Sequence, residues 1–150
     1  MSRPCLLIGE RDPFIQHTLK QVLKEHYALS FVTDGAALVA QARAKPPDAI
    51  ILEIMLPTLD GFQVCRQLKH DSRTQPIPIL VYSLLAAEAR ALQAGADAFL
   101  QKPQPTDKLL STILGLLKAQ PARQESRASQ QDTSHIGATP VPKLASERSE

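Results

Sequence analysis

Two carboxylates, two cations and a hydroxyl stand at the ends of short apolar runs in this chain. Glu10 and Arg11 follow the run 5–8, Glu53 closes 49–54 but for one residue, Ser83 follows 77–82, and Lys102 follows 98–100. Open parallel sheets carry their sites at the carboxyl ends of their strands, so these five residues are the ones placed to act together. As a set they can neutralise one another: Arg11 and Lys102 face Glu10 and Glu53, and the pocket stays close to neutral with no added ion. Other chemistries lack their residues. There is no Gly-rich phosphate loop after the first run, no P-loop, no nucleophile elbow and no Cys/His zinc spacing. His17, His26, His70 and His135 have no mutual spacing that marks a relay or a metal, and each is read as a surface residue.

The elements that must hold these residues follow from two alternating patterns. Apolar runs at 5–8, 28–32, 49–54, 77–82 and 98–100 read as five strands, and segments of helical spacing lie between them. That alternation predicts an α/β fold, a doubly wound (βα)5 three-layer sandwich with a parallel sheet of order 2-1-3-4-5. Ile50-Ile51-Leu52 is continuously apolar, as a strand covered on both faces should be. Asp12-Pro13 reads as a helix cap with a first-turn proline, Asp34-Gly35 opens the second helix, Asp60 caps the third, and Thr106 caps the fifth. The fourth helix, about 85–94, is short and alanine-rich. The Leu/Ile arc of the fifth, from Leu109 to Leu117, reads as core plus rim, with a weak homodimer seam as the alternative.

Composition limits the partners. The chain has 150 residues and a net charge of +2, too little to argue for nucleic acid or an anionic membrane. Cys5 and Cys65 lie in apolar segments and are expected as small buried hydrophobes rather than as a disulfide. The first apolar run is strand-sized, so neither a signal peptide nor a membrane span is expected, and the default is a cytoplasmic protein. Residues 1–118 form the folded domain in this reading. Residues 119–150 hold only Ile136, Val141 and Leu144 as larger aliphatics and read as a flexible tail.

Four segments in order carry a family resemblance. They are Leu6-Leu7-Ile8-Gly9-Glu10-Arg11-Asp12-Pro13; Glu53 with Met55-Leu56-Pro57 and Asp60-Gly61; Ser83 after Ile79-Leu80-Val81-Tyr82; and Ala94-Gly95-Ala96-Asp97-Ala98-Phe99-Leu100-Gln101-Lys102-Pro103. Together these resemble a response-regulator receiver domain. The resemblance implies a phosphorylation pocket. Two acids after the first strand hold Mg²⁺, the third strand ends in a phosphoacceptor Asp, and the Ser/Thr and Lys contact the phosphoryl group. The residue at Met55 gives the metal a backbone carbonyl, Phe99 holds the switch-aromatic place, and the Lys102–Pro103 bond is commonly cis. Glu10, Ser83 and Lys102 match that pattern. Arg11 replaces the second acid and Glu53 replaces the phosphoacceptor. The stretch between Ser83 and Gly95 is about one helical turn shorter than the family's.

These departures have physical consequences. Mg²⁺ needs oxygen ligands, and a guanidinium offers only donors. If Arg11 stood about 5 Å from the ion, repulsion of order 5 kcal/mol would follow at an effective dielectric of roughly 20. The Glu53 carboxylate reaches about 1.5 Å beyond that of an aspartate. It is misplaced for in-line transfer but able to approach Ser83 and Lys102 as a phosphoryl oxygen would. The expectation is an atypical pseudo-receiver, not an enzyme and without a cofactor, contacting a histidine kinase, another receiver or an output protein through its fourth-helix, fifth-strand and fifth-helix face. Its rivals are a working receiver with Mg²⁺ between Glu10 and Glu53, and an enzyme or cofactor-binding module on the same flavodoxin-like architecture.

Overall fold

The computed structural model describes residues 2–119, and the expected tail lies outside the described residues but for Ala119. Five strands alternate with five helices: β1 (Cys5–Gly9), α1 (Pro13–Leu23), β2 (Ala28–Val32), α2 (Gly35–Ala44), β3 (Ala49–Leu52), α3 (Gly61–Lys69), β4 (Ile79–Ser83), α4 (Glu88–Ala94), β5 (Ala98–Gln101) and α5 (Thr106–Lys118). The strands form one sheet in the order β2-β1-β3-β4-β5, and every pairing is parallel.

Strand alternation divides the core in two. Leu7, Ile50, Leu52, Ile79 and Val81 point to the face covered by α2, α3 and α4. Leu6, Ile8, Ile51, Leu80 and Tyr82 point to the face covered by α1 and α5. Successive side chains leave a strand on opposite sides, so a sheet buried on both faces needs apolar residues at every position. Removing a Leu or Ile side chain of this kind from water contributes about 1.5–3 kcal/mol. Leu109 and Ile113 of α5 join the second core, Leu110, Leu116 and Leu117 pack at its margin, and Leu114 is exposed.

Local chemistry sets most helix starts. The Asp12 side chain accepts from the Phe14 N–H, Asp34 from Ala37, and Asp60 from Gln63, which completes a capping box by returning its side chain to the Asp60 N–H. Two starts differ from the sequence reading. The fourth helix begins at Glu88, because residues 84–87 form the loop leaving β4, and no side chain caps it. Thr106 is the first helical residue of α5 rather than its cap. Cys65 is buried as expected, and burial pushes its thiol up to about 12. Cys5 is exposed, against expectation. It is the outermost residue of β1, at the end of the sheet where the core stops.

The loops at the carboxyl edge are locked together. Asp34 Oδ1 accepts the Ala37 N–H and the Thr58 hydroxyl, and Thr58 Oγ1 accepts the Ala36 N–H at 2.9 Å. Thr58 holds φ at 68°, a left-handed value that these side-chain bonds offset. A Cβ on Gly35 would lie 2.0 Å from the Leu59 carbonyl oxygen, so only glycine lets the β2–α2 and β3–α3 loops touch.

Candidate functional site

Backbone ladder bonds fix each candidate residue before its side chain is considered. The Glu10 N–H donates to the Val32 carbonyl at 3.0 Å, the Glu53 N–H to Gly9 at 2.9 Å, and the Lys102 N–H to Ser83 at 2.8 Å. Glu10, Glu53, Ser83 and Lys102 thus sit side by side at the carboxyl edge of the four strands β1, β3, β4 and β5. All four are buried, with relative exposures of 3%, 6%, 0% and 8%. The Lys102–Pro103 bond is cis.

Lys102 Nζ donates to Glu10 Oε1 at 2.6 Å and to Glu53 Oε1 at 2.7 Å. Glu53 Oε2 accepts the Ser83 hydroxyl and the Met55 N–H, the latter at 3.0 Å. Glu10 Oε2 accepts the Asp12 N–H at 3.1 Å. Ser83 Oγ in turn accepts the Leu85 N–H at 3.3 Å. Every carboxylate oxygen therefore already has a donor. Burying charges is costly unless they are paired and hydrogen-bonded, and here they are both. Two carboxylates share one ammonium, which leaves the buried cluster one negative charge in excess.

The electrostatics follow from these bonds. Burial alone would raise the Glu53 carboxyl, but hydrogen bonds from Lys102, Ser83 and Met55, with the Lys102 charge, hold it below the ordinary glutamate value. Burial would lower the Lys102 ammonium, and the two carboxylates together hold it above the usual lysine value. Both groups are ionised at neutral pH, and each is the reason the other stays so.

Arg11 departs from the sequence reading. It lies exposed at the mouth of the cavity, alongside Glu10, Asp12, Ile15, Met55 and Leu84, and takes part in none of the ion pairs among the described residues. The physical cause is position: the Glu10 N–H still bonds to Val32 of β2, whereas Arg11 lies in the loop beyond the strand, where its side chain reaches solvent. A guanidinium in solvent keeps its hydration, and its repulsion toward an ion in the pocket no longer decides the metal question. What opposes a metal is Lys102. Mg²⁺ would need several oxygens at about 2.0–2.1 Å, and the Lys102 ammonium fills the gap between Glu10 and Glu53, the only two buried carboxylates among the described residues. Among the described residues no group of three or more His, Cys, Asp or Glu is arranged to hold a metal ion. The present donor set therefore does not fit Mg²⁺ without displacement of Lys102.

Phe99 is half-buried on β5, paired in register with Val81, and packs on the core that α2, α3 and α4 cover. His17, His26 and His70 are exposed, and His135 lies outside the described residues. The sequence carries no sign of the backbone donors on the carboxylates, the N–H groups of Asp12 and Met55. Asp12 was legible as a cap, and a cap's own N–H, two residues after Glu10, is free to turn back. Nor did it single out Gln16, whose side chain donates to the Glu10 carbonyl.

Known proteins place this architecture. Residues 6–114 match the family model described as response regulator receiver domain. The chain is 31% identical over 121 residues to the response regulator PleD of Caulobacter vibrioides, covering 79% of this chain and 27% of PleD. A signal receiver domain of a histidine kinase from Syntrophus aciditrophicus is 32% identical with a TM-score of 0.72, over 77% of this chain and 91% of that one. The receiver domain of the sensor histidine kinase PA1611 from Pseudomonas aeruginosa, solved with magnesium coordinated in its active-site cleft, is 26% identical with a TM-score of 0.73, over 78% and 99% of the two chains. The chain thus spans about a quarter of the length of the first curated relatives it matches. With the strand order, the site at the strand ends and the family model in agreement, the chain belongs to the response regulator receiver family.

Proposed function

We propose that this chain is an atypical receiver in two-component signalling, in which the Glu53 carboxylate occupies the place of a phosphoryl group and output is by protein–protein contact. The observation that carries this reading is the bonding of Glu53. It accepts from the Ser83 hydroxyl and from Lys102 Nζ, the two groups that the resemblance assigns to phosphoryl recognition. A carboxylate carries one charge where a phosphoryl group carries about two, so the mimicry is partial. Phosphoryl transfer to Glu53 would require one of its oxygens to give up a donor and a divalent ion to displace Lys102. The domain then works with no cofactor and as no enzyme, in the cytoplasm. Its partner is a histidine kinase, another receiver or an output protein, met through α4, β5 and α5 beside Phe99, with neither nucleic acid nor membrane involved.

The test is incubation with acetyl phosphate and Mg²⁺ followed by intact-mass and peptide mass spectrometry. No phosphoryl adduct is expected. An adduct on Glu53 would sink the proposal. The paired change Arg11→Asp and Glu53→Asp should restore phosphorylation if these two positions alone disable the pocket.

One observation favours a second reading. Arg11 points to solvent, so Glu10 and Glu53 could take Mg²⁺ if Lys102 withdrew, and the chain would be a working receiver. Magnesium titration followed by NMR separates the two. Shifts confined to the amides of residues 10–12, 53–55 and 102 at low millimolar Mg²⁺ support the working receiver, and their absence supports the pseudo-receiver.

A further inference from the structure

The groove between α3 and α4 carries an unbalanced charge that the pocket does not use. Arg66 of α3 and Arg90 of α4 line one cavity of about 190 Å³ with Phe62, Gln93 and Ala94. The Arg90 guanidinium carbon lies over the Phe62 ring, 4.1 Å from the centroid. A cation–π contact of this kind uses the charge of a guanidinium without using up its N–H donors. Neither arginine is in an ion pair among the described residues. The nearby acids are otherwise engaged or turned away. Asp60 caps α3 through the Gln63 N–H, Asp97 is held by Lys69, and Glu88 lies two residues before Arg90, off its helix face.

We infer that this groove is a docking site for an acidic segment of a partner protein, with a Glu or Asp side chain seated between Arg66 and Arg90. Charge complementarity selects the occupant. Two cations facing one small cavity repel each other, and a carboxylate between them replaces that repulsion with two attractions. The forked N–H donors of a guanidinium suit the two oxygens of a carboxylate. Magnitude then separates a protein from a free anion. Both arginines are exposed, and exposed ion pairs contribute only about 0–1 kcal/mol each. A lone anion would be held weakly, whereas a peptide adds contacts along the groove to Phe62, Gln93 and Ala94. The site is separate from the Glu53 pocket, so its failure would leave the proposed function untouched.

The experiment is NMR titration of the isotope-labelled full chain with a hexapeptide of sequence Glu-Glu-Leu-Glu-Glu-Leu, and separately with inorganic phosphate. The expected result is saturable shifts at the Arg66 and Arg90 side-chain Nε–H signals and at α3–α4 amides, stronger for the peptide than for phosphate and weakened by added salt. Arg66→Gln and Arg90→Gln should each weaken peptide binding by about threefold or more. Arg90→Lys keeps the charge but loses the forked donors, and should fall between wild type and Arg90→Gln. A chemical-shift map of each variant that matches wild type outside α3–α4 shows that the fold is retained. No saturable shift at millimolar peptide, shifts spread evenly over the surface, or phosphate binding as tightly as peptide would each overturn the inference.

Discussion

Lys102 is the one cation in a buried cluster with two anions, and its removal gives the most informative perturbation. Lys102→Met keeps most of the side-chain volume and deletes the charge. Both carboxylate oxygens that touch Nζ then face each other across no more than about 5.3 Å, since they lie 2.6 and 2.7 Å from the same atom. At an effective dielectric of about 20 their repulsion is then at least about 3 kcal/mol. Breaking a buried pair by removing one partner costs about 3–5 kcal/mol by direct comparison, so two routes agree. A domain of this size has about 5–15 kcal/mol in all. With an unfolding entropy of about 2.1 cal/mol/K per residue, each kcal/mol moves the midpoint by about 4 °C, so a fall of roughly 12–20 °C is expected at pH 7. Thermal and urea unfolding followed by circular dichroism measure it. The pH dependence gives an internal check. Without Lys102 one carboxyl is driven to bind a proton, which relieves the repulsion. The gap between variant and wild type should therefore narrow as pH falls from 7 toward 4. A loss under about 1 kcal/mol at pH 7, the value of an exposed pair, would refute the cluster as a buried electrostatic unit, and so would a gap that does not change with pH.

Three further outcomes follow from the same geometry. The Glu53 carboxyl is held below its unfolded value, so its contribution is full above pH 4.5 and lost as pH falls through the lower folded value. Lys102 is held above its unfolded value, so its contribution is full below pH 10.5 and lost as pH rises through the higher folded value. Urea midpoints should therefore form a plateau between those limits where this cluster is concerned. Ser83→Ala removes a donor from Glu53 and leaves the Met55 N–H on that oxygen, which should cost about 1.5–3 kcal/mol in urea unfolding. Arg11→Ala should change stability by no more than about 0.5 kcal/mol, because the side chain is exposed and unpaired among the described residues. A cost above about 1 kcal/mol would place Arg11 in the pocket after all.

Much of the fold was written locally. Asp12, Asp34 and Asp60 act as caps because a cap needs only one side chain and an amide two or three residues on. The order of the sheet follows from alternation together with the resemblance, and the four buried pocket residues follow from their places at strand ends. Features that depend on distant partners were not legible. Charge balance favours Arg11 in the pocket, but the residue stands in the loop beyond β1, where its side chain reaches solvent. Asp71 is held well below the usual carboxylate range by hydrogen bonds from Arg73, with Arg43 adding another from α2. Lys69 reaches the carbonyls of Gln75 and Ile77 as well as Asp97. Neither hub has a sequence pattern, because its partners come from different elements. The start of α4 was misplaced for the opposite reason. Residues 84–87 are locally compatible with a helix, and the backbone leaving β4 uses them as a loop.

The Lys102–Glu10 bond joins residues separated by 92 positions. During synthesis the first acid and the third-strand acid leave the ribosome long before their shared counter-ion exists. Until then both must remain hydrated, and the carboxyl edge of the growing sheet must stay open to water. Closure of that edge therefore waits for Lys102 at the end of the fifth strand, so a cation made some ninety residues later is the one that lets the first acid go dry.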